Sequence, residues 1–185
     1  FPQGARHALE LAAALGQNPI LADWMAVCDA AGVETTYDVI DALVREGLIR
    51  RRPQGWSFCH ALFREAVEAT ARDEGRAAKW HSLCADHCLR LFGLSAENAE
   101  RHAEHLLQAN RVEEALPQLL NAAESYARTG DFDRGKEMFA RYDAALARLD
   151  RDTATERIRA DLHRVRNGLF ETRVEDLEPL LARAE

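Results

Sequence analysis

Phe58-Cys59-His60-Ala61-Leu62-Phe63-Arg64-Glu65-Ala66-Val67 is the decapeptide at which the hydrophobic pattern of this 185-residue chain changes period. The residues before it alternate between apolar and polar, which is typical of β-strands. The residues after it repeat at helical spacing almost to the end of the chain. We therefore interpret the decapeptide as a junction, where a short strand ends near His60 and a helix begins at Ala61.

Three helices are predicted ahead of the junction. Apolar residues at helical spacing place them at residues 5–15, 20–32 and 35–47, each closed by a glycine. Thr35-Thr36 offers an N-cap for the third helix, and Asn18-Pro19 predicts a turn between the first two.

A β-hairpin is predicted between the third helix and the junction. Residues 48–52 and 56–59 alternate like its two arms, and Pro53-Gln54-Gly55 forms the turn. Its apolar positions would face the helices: Leu48, Trp56 and Phe58. Three helices followed by one small hairpin are the plan of a winged-helix domain, which we place at residues 1–72.

The remainder of the chain is predicted to be helical, so the fold class is mainly α. The predicted helices cover residues 61–72, 76–92, 96–109, 112–128, 132–149, 155–170 and 174–184. Short turns between helices of this length favour antiparallel neighbours. The chain begins without Met and ends within a helical run, so we expect a piece of a longer protein, with a helical repeat region at residues 73–185 that is truncated at its C-terminus.

One part of the helical region matches the pattern of a tetratricopeptide repeat, which has a period of about 34 residues. The matching aromatic, glycine and small positions are Tyr126, Gly130, Phe132, Gly135 and Phe139. In such a repeat the small residue lets the second helix approach the first, and the aromatic residues fill the space between helix pairs. An ordinary helical bundle with alanine at close crossings is the alternative.

Several motifs together resemble the segment that follows the nucleotide-binding core in STAND-class signalling ATPases. The motifs are Leu43-Val44-Arg45-Glu46-Gly47-Leu48-Ile49, the decapeptide, Ala103-Glu104-His105-Leu106-Leu107 and Glu113-Glu114-Ala115-Leu116. The class includes LuxR-type regulators and predicted ATPases fused to Ser/Thr kinases or adenylyl cyclases. The resemblance covers residues 5–149.

The resemblance implies a non-catalytic regulatory module. The winged helix would act as lid and transmitter on an upstream ATPase in cis, and the repeats as a sensor arm that binds a protein partner or effector ligand. The parent protein, an ATPase, kinase or cyclase, would bind ATP or ADP. This chain contains no Gly-x-x-x-x-Gly-Lys-Ser/Thr loop, so we expect no cofactor in it by itself.

The same resemblance assigns roles to three residues of the decapeptide. His60 matches the histidine that contacts the nucleotide phosphate in the class, and a helix N-terminus suits an anion. Arg64 and Glu65 would make polar contacts between the lid and its neighbours. The alternatives are that His60 caps the helix and packs on the hairpin, and that Arg64 and Glu65 are ordinary surface residues.

DNA binding through the winged helix is the competing function. The strongest basic cluster lies at the end of the third helix and the start of the hairpin: Arg45, Arg50, Arg51 and Arg52. Such arginines could contact phosphates. Asp38, Asp41 and Glu46 lie on the same helix and would be repelled by duplex DNA.

Two clusters contain the residue types of metal or catalytic sites. His81, Cys84 and Cys88, with His87 beside them, share a helical face, but their spacing fits no zinc finger and favours a structural core. His102 and His105, with Glu100, Arg101 and Glu104, read as the solvated face of a helix. We predict neither a metal site nor an enzyme.

Composition limits the remaining classes of function and the cellular location. The net charge of -7 argues against a broad nucleic-acid surface. The four cysteines lack disulfide-framework spacing and are predicted to be thiols in a reducing compartment. No apolar run approaches the ~20 residues that span a bilayer. We therefore expect a cytoplasmic protein without a membrane partner.

Overall fold

The computed structural model describes residues 3–35, 37–91 and 95–171, in which the chain is mainly helical with one small antiparallel sheet. The predicted fold class is thus confirmed at the level of secondary structure. The helix predicted over residues 174–184, and Thr36 of the predicted N-cap, lie outside the described residues. Contacts divide the chain into two compact units, Phe1–Leu91 with Gln108–Asn110 and the remaining residues. Each unit is described by itself.

The first unit contains five helices and two strands. They are α1 (Gln3–Leu15), α2 (Leu21–Ala31), α3 (Tyr37–Arg45), β1 (Ile49–Arg52), β2 (Gly55–Phe58), α4 (Ala61–Asp73) and α5 (Ala77–Leu91). The elements lie close to their predicted bounds. Helix α5 packs on α1 and α2, whereas the sequence placed a domain boundary ahead of it. That division into functional domains stays a prediction.

Helix α1 forms the centre of the first unit. All residues from Ala8 to Leu15 are buried, because α2, α4 and α5 all pack on this helix. The indole Nε1 of Trp24 donates a 2.7 Å hydrogen bond to the carbonyl oxygen of Ala8. The Trp24 ring meets the ring of Trp56 edge to face, with centroids 4.7 Å apart. These contacts hold α2 on α1 and the hairpin on α2.

The hairpin buries one side chain of β1 and two of β2. Ile49 pairs with Phe58 and Arg51 with Trp56, and Ile49, Trp56 and Phe58 are buried. The predicted inward positions of Trp56 and Phe58 are confirmed. Leu48 lies just ahead of β1 and is half-buried, and it packs against the same core.

A third segment, residues 17–20, lies along the outer edge of β2. The backbone N–H of Phe58 donates to the carbonyl of Gln17 at 3.1 Å, and that of Trp56 to Pro19 at 3.3 Å. The Gln17 side-chain nitrogen adds a 2.6 Å bond to the Phe58 carbonyl. We call residues 17–20 the edge segment. The sequence predicted only a turn here, since four residues are too few to show a period.

The second unit consists of four described helices: α6 (Ala96–Gln108), α7 (Val112–Arg128), α8 (Phe132–Leu146) and α9 (Ala154–Glu171). Helices α7 and α8 pack closely, and α9 packs on both. Tyr126, Phe139 and Tyr142 are buried in the shared core. A Cβ atom on Gly135 would lie 3.3 Å from the Ala123 carbonyl oxygen. The small residue therefore lets α8 approach α7, as expected from the sequence.

Candidate functional site

His60 lies at the N-terminus of α4, as the decapeptide predicts. Its backbone is extended (φ -132°, ψ 126°), and its side chain makes no capping hydrogen bond. The residue is exposed, as is Leu62 beside it. His60 is the N-cap residue of α4 by its position, and its imidazole does not make the side-chain bond that the capping alternative expects. The ring faces solvent where the first N–H groups of a helix have no partner within the helix.

Arg64 and Glu65 differ in their surroundings. Arg64 is half-buried and pairs with Glu68, one turn further along α4. It also approaches the carbonyl oxygen of Ala13 at 3.5 Å. Burial raises the pKa of Glu68 against the lowering effect of Arg64. Glu65 is exposed. Of the two residues proposed for an interdomain contact, Arg64 is thus half-buried and bonded within its own unit. Glu65 is exposed to solvent.

The basic cluster of the hairpin is partly neutralised by its own unit. Arg51 pairs with Asp41 of α3, and Nε of Arg45 donates to the Asp41 carbonyl oxygen at 3.4 Å. Arg50 and Arg52 are exposed and have no partner among the described residues. Two of the four arginines are therefore available to an external anion.

Weak, nonspecific DNA binding is the expected result for this cluster. With two unpaired arginines, the slope of log K against log salt in a gel-shift series with duplex DNA should not exceed about two. An Arg50→Gln/Arg52→Gln variant is the control and should lose this slope. A slope of several counterions would instead support the DNA-binding alternative.

The cysteine-histidine cluster of α5 belongs to the core. Cys84 and Cys88 are buried, and Cys84 is part of the hydrophobic core of the first unit. Within the described residues, no group of three or more His, Cys, Asp or Glu side chains is arranged to hold a metal ion. None of the four cysteines forms a disulfide, and only Cys59 is partly exposed. Burial raises the pKa of Cys28 to about 12.

Brief alkylation of the folded protein should therefore modify one thiol. We expect iodoacetamide at about pH 8 to label Cys59 first, because buried, protonated thiols react slowly. The measurement is intact-mass analysis followed by peptide mapping, and the unfolded chain in urea, with all four thiols labelled, is the control. Equally fast labelling of Cys28 would contradict this burial.

A buried ion pair in the first unit was not predicted from the sequence. Glu10 of α1 is 1% exposed. Its oxygens accept hydrogen bonds from Arg76 at 2.7 and 2.9 Å and from the indole of Trp80 at 2.9 Å. Burial raises the pKa of Glu10, but the bonds from Arg76 and Trp80 outweigh it, so the pKa is lowered overall. A second buried pair joins His87 Nε2 and Asp23 Oδ1 at 3.0 Å.

The prediction that His102 and His105 lie on a solvated face is wrong. Both are buried, on a helix whose Ala99 and Ala103 belong to the core of the second unit. Glu100 is also largely enclosed, and its carboxylate accepts bonds from Tyr126 and Arg134 at 2.6 and 2.7 Å. Charged residues on α6 thus find partners within the unit, which helical spacing does not reveal.

A cavity lies among the described residues of each unit. The cavity of the second unit has a volume of about 160 Å³ and lies between α7, α8 and α9. The cavity of the first unit is larger, about 490 Å³, and lies between the edge segment and the hairpin turn. Its lining is Asn18, Pro19, Ile20, Arg52, Pro53, Gln54, Gly55 and Trp56. We call it the wing cavity.

Comparisons with protein-family models, with curated proteins and with solved structures find no match for this chain. In the part of the chain that the structure describes, no helix is both long and apolar enough to cross a membrane. The class of protein and its cytoplasmic location stay predictions.

Proposed function

We propose that this chain is a non-catalytic regulatory and protein-interaction module of a larger signal-transduction ATPase. The first unit is a winged helix that acts as lid and transmitter. The second is a tetratricopeptide-like array that serves as sensor or partner-binding arm. ATP or ADP is bound by the parent protein, upstream of this chain.

The first unit supports the winged-helix part of the proposal through its element order. Three helices precede the hairpin, and the edge segment between α1 and α2 runs along β2. The exposed imidazole of His60, at the start of α4, is free to reach a ligand held by a neighbouring domain. A phosphate oxygen would gain a charge-assisted hydrogen bond there.

The exposed apolar face of α9 is the observation that carries the interaction role. Ile158, Leu162 and Val165 are 63%, 67% and 65% exposed. Their spacing places them on one face of the helix. The opposite face contains the fully buried Ala160 and packs on α7 and α8. Contiguous exposed apolar surface marks interaction sites, and this stripe fits the apolar face of a partner's amphipathic helix.

The lid role is tested by His60→Leu in the parent protein. We expect the affinity for fluorescent ADP to fall about tenfold, since one charge-assisted hydrogen bond is lost. Arg72→Gln, at an exposed position near the end of the same helix, is the matched control and should leave the affinity unchanged. Equal affinity of the His60 variant and the wild type, or a parent without a phosphate-binding loop, would reject the lid role.

The arm role is tested by Leu162→Asp. Proteins cross-linked to the parent are quantified by mass spectrometry for this variant, the wild type and Leu89→Asp. Leu89, in the first unit, is 69% exposed and therefore a matched leucine. We expect a partner that is retained by the wild type and the Leu89 variant and lost from the Leu162 variant. Identical sets for all three proteins would reject an interaction arm on α9.

A further inference from the structure

The register of the hairpin leaves two residues of β1 with backbone groups that point away from β2. The N–H of Cys59 donates to the carbonyl oxygen of Leu48 at 2.9 Å. Pairs that exchange backbone bonds alternate with pairs that do not in an antiparallel ladder, so the next pair outward-facing on β1 begins at Ile49 and the following one is at Arg51. We call the outward N–H and C=O groups of Ile49 and Arg51 the β1 edge.

Helix α3 packs on the inner face of β1 and not along this edge. Ile49 lies in the same core as Ile40 and Leu43 of α3, and the side chain of Arg51 pairs with Asp41. Among the described residues, no backbone bond joins the β1 edge to another segment of the chain. An unpaired strand edge is a template for a further strand, and extended peptides bind proteins in this way.

Two cations define the chemistry of such a strand. Arg50 and Arg52 are exposed and have no partner among the described residues, and their spacing places both on the outer face of β1. At the β1 edge they occupy positions where facing residues exchange no bonds, and paired strands approach there to about 4.5 Å between Cα atoms. Asp41 is already neutralised by Arg51. The edge therefore favours a strand with carboxylates at alternate positions, whereas a second copy would bring the same arginines.

We propose that the β1 edge binds an acidic peptide as an additional antiparallel strand. The N–H and C=O groups of Ile49 and Arg51 bond to the peptide backbone, and Arg50 and Arg52 pair with two carboxylates that are separated by one residue. That intervening residue lies opposite Arg51 and donates its own N–H to β1. This interaction goes beyond the proposed function, because it needs neither a nucleotide nor α9.

The probe is the blocked peptide acetyl-Thr-Glu-Val-Glu-Thr-amide, titrated into the ¹⁵N-labelled chain. We expect saturable binding, and hydrogen exchange of the Arg51 N–H should slow about tenfold when about nine-tenths of the edge is occupied, because a bonded N–H does not exchange. The N–H of Arg50 faces β2 and should already be protected in the free chain.

Two methylated peptides separate strand addition from simple charge attraction. N-methylation of the valine removes the N–H that faces β1 and places a methyl group there, so binding should weaken at least about tenfold. N-methylation of the first glutamate is the matched control. Its N–H faces away from β1, and binding should change less than about threefold.

Two double variants test the charges. Arg50→Gln/Arg52→Gln should weaken binding about tenfold, since two cross-strand charge pairs are lost. Arg72→Gln/Lys79→Gln removes the same charge at exposed positions of the first unit and should change binding less than about twofold because of solvent screening.

Three results of the titration would overturn the proposal. They are an Arg51 N–H that stays unprotected, equal binding of the two methylated peptides, and unchanged binding in Arg50→Gln/Arg52→Gln. Dimerisation of the chain without peptide, with protection of the same N–H, would assign the edge to a second copy and also reject the proposal. Failure here with intact effects of the His60 and Leu162 variants would reject the β1 edge alone, and the reverse result would leave it standing without the lid and the arm.

Discussion

Arg76→Met is expected to lower the free energy of unfolding by about 3–5 kcal/mol, because it leaves the buried carboxylate of Glu10 without its counter-charge. The double variant Glu10→Met/Arg76→Met should recover most of this loss, since both charges are then removed. Urea denaturation gives the free energy of unfolding of the wild type, the single variant and the double variant. Arg72→Met, at an exposed position of α4, is the control and should stay within about 0.5 kcal/mol of the wild type.

The loss of stability in Arg76→Met should depend on pH. In the wild type the pKa of Glu10 is lowered from its ordinary value of 4.5. Its contribution to stability is therefore present above that value and disappears as the pH falls through the folded-state pKa. In Arg76→Met burial, the largest influence on the pKa of Glu10, is opposed only by the bond from Trp80 and the charge of His7. We therefore expect this pKa to be raised, so that stability declines as the pH rises. The difference between the two proteins should widen from about pH 4 to about pH 7. A constant difference would contradict the assignment of the effect to Glu10.

Gly55→Ala is expected to destabilise the first unit by about 2–3 kcal/mol. A Cβ at this position would lie 2.2 Å from the carbonyl oxygen of Pro19 and 2.9 Å from the backbone nitrogen of Leu21. Both are backbone atoms, so no side-chain rotation can relieve the clash, and the edge segment must move away from β2. Urea denaturation monitored by tryptophan fluorescence measures the effect.

Gly4→Ala is the matched control for this change. Gly4 lies in α1, and a Cβ there would have no heavy atom within 4 Å. Alanine is the better helix former, so this variant should equal the wild type or gain up to about 1 kcal/mol. If both glycine variants behaved alike, the close approach at Gly55 would not be a determinant of stability.

Helical periodicity predicted the elements of the chain well, because it reports which local face is apolar. The Phe58–Val67 junction is an example: α4 begins at Ala61, as predicted, and β2 ends at Phe58, one residue before the end of the predicted arm 56–59. The α7–α8 pair is another, since Gly135 and the aromatic residues already showed how closely two helices could pack. The junction and the α7–α8 pair are both determined by residues that are close together in the sequence.

The features that the sequence did not reveal all depend on distant partners. Glu10 looks like a polar interruption of an apolar helix until Arg76, which is 66 residues away, is placed beside it. His102 and His105 look solvated until α6 is packed. The edge segment is defined by bonds to β2 and not by a pattern of its own. No helical or strand period encodes these pairings, and an isolated buried donor such as Nε1 of Trp56 has no sequence signature.

The two edges of the small sheet are protected from edge-to-edge association in different ways. On the β2 side, the edge segment occupies the backbone N–H groups of Trp56 and Phe58. On the β1 side, Arg50, Arg51 and Arg52 are exposed. A strand of a second copy arriving there would bring the same three charges alongside, and like charges facing each other across a strand pair oppose pairing. The arginine run thus protects the folded chain against aggregation through its sheet, a use that requires no nucleic acid.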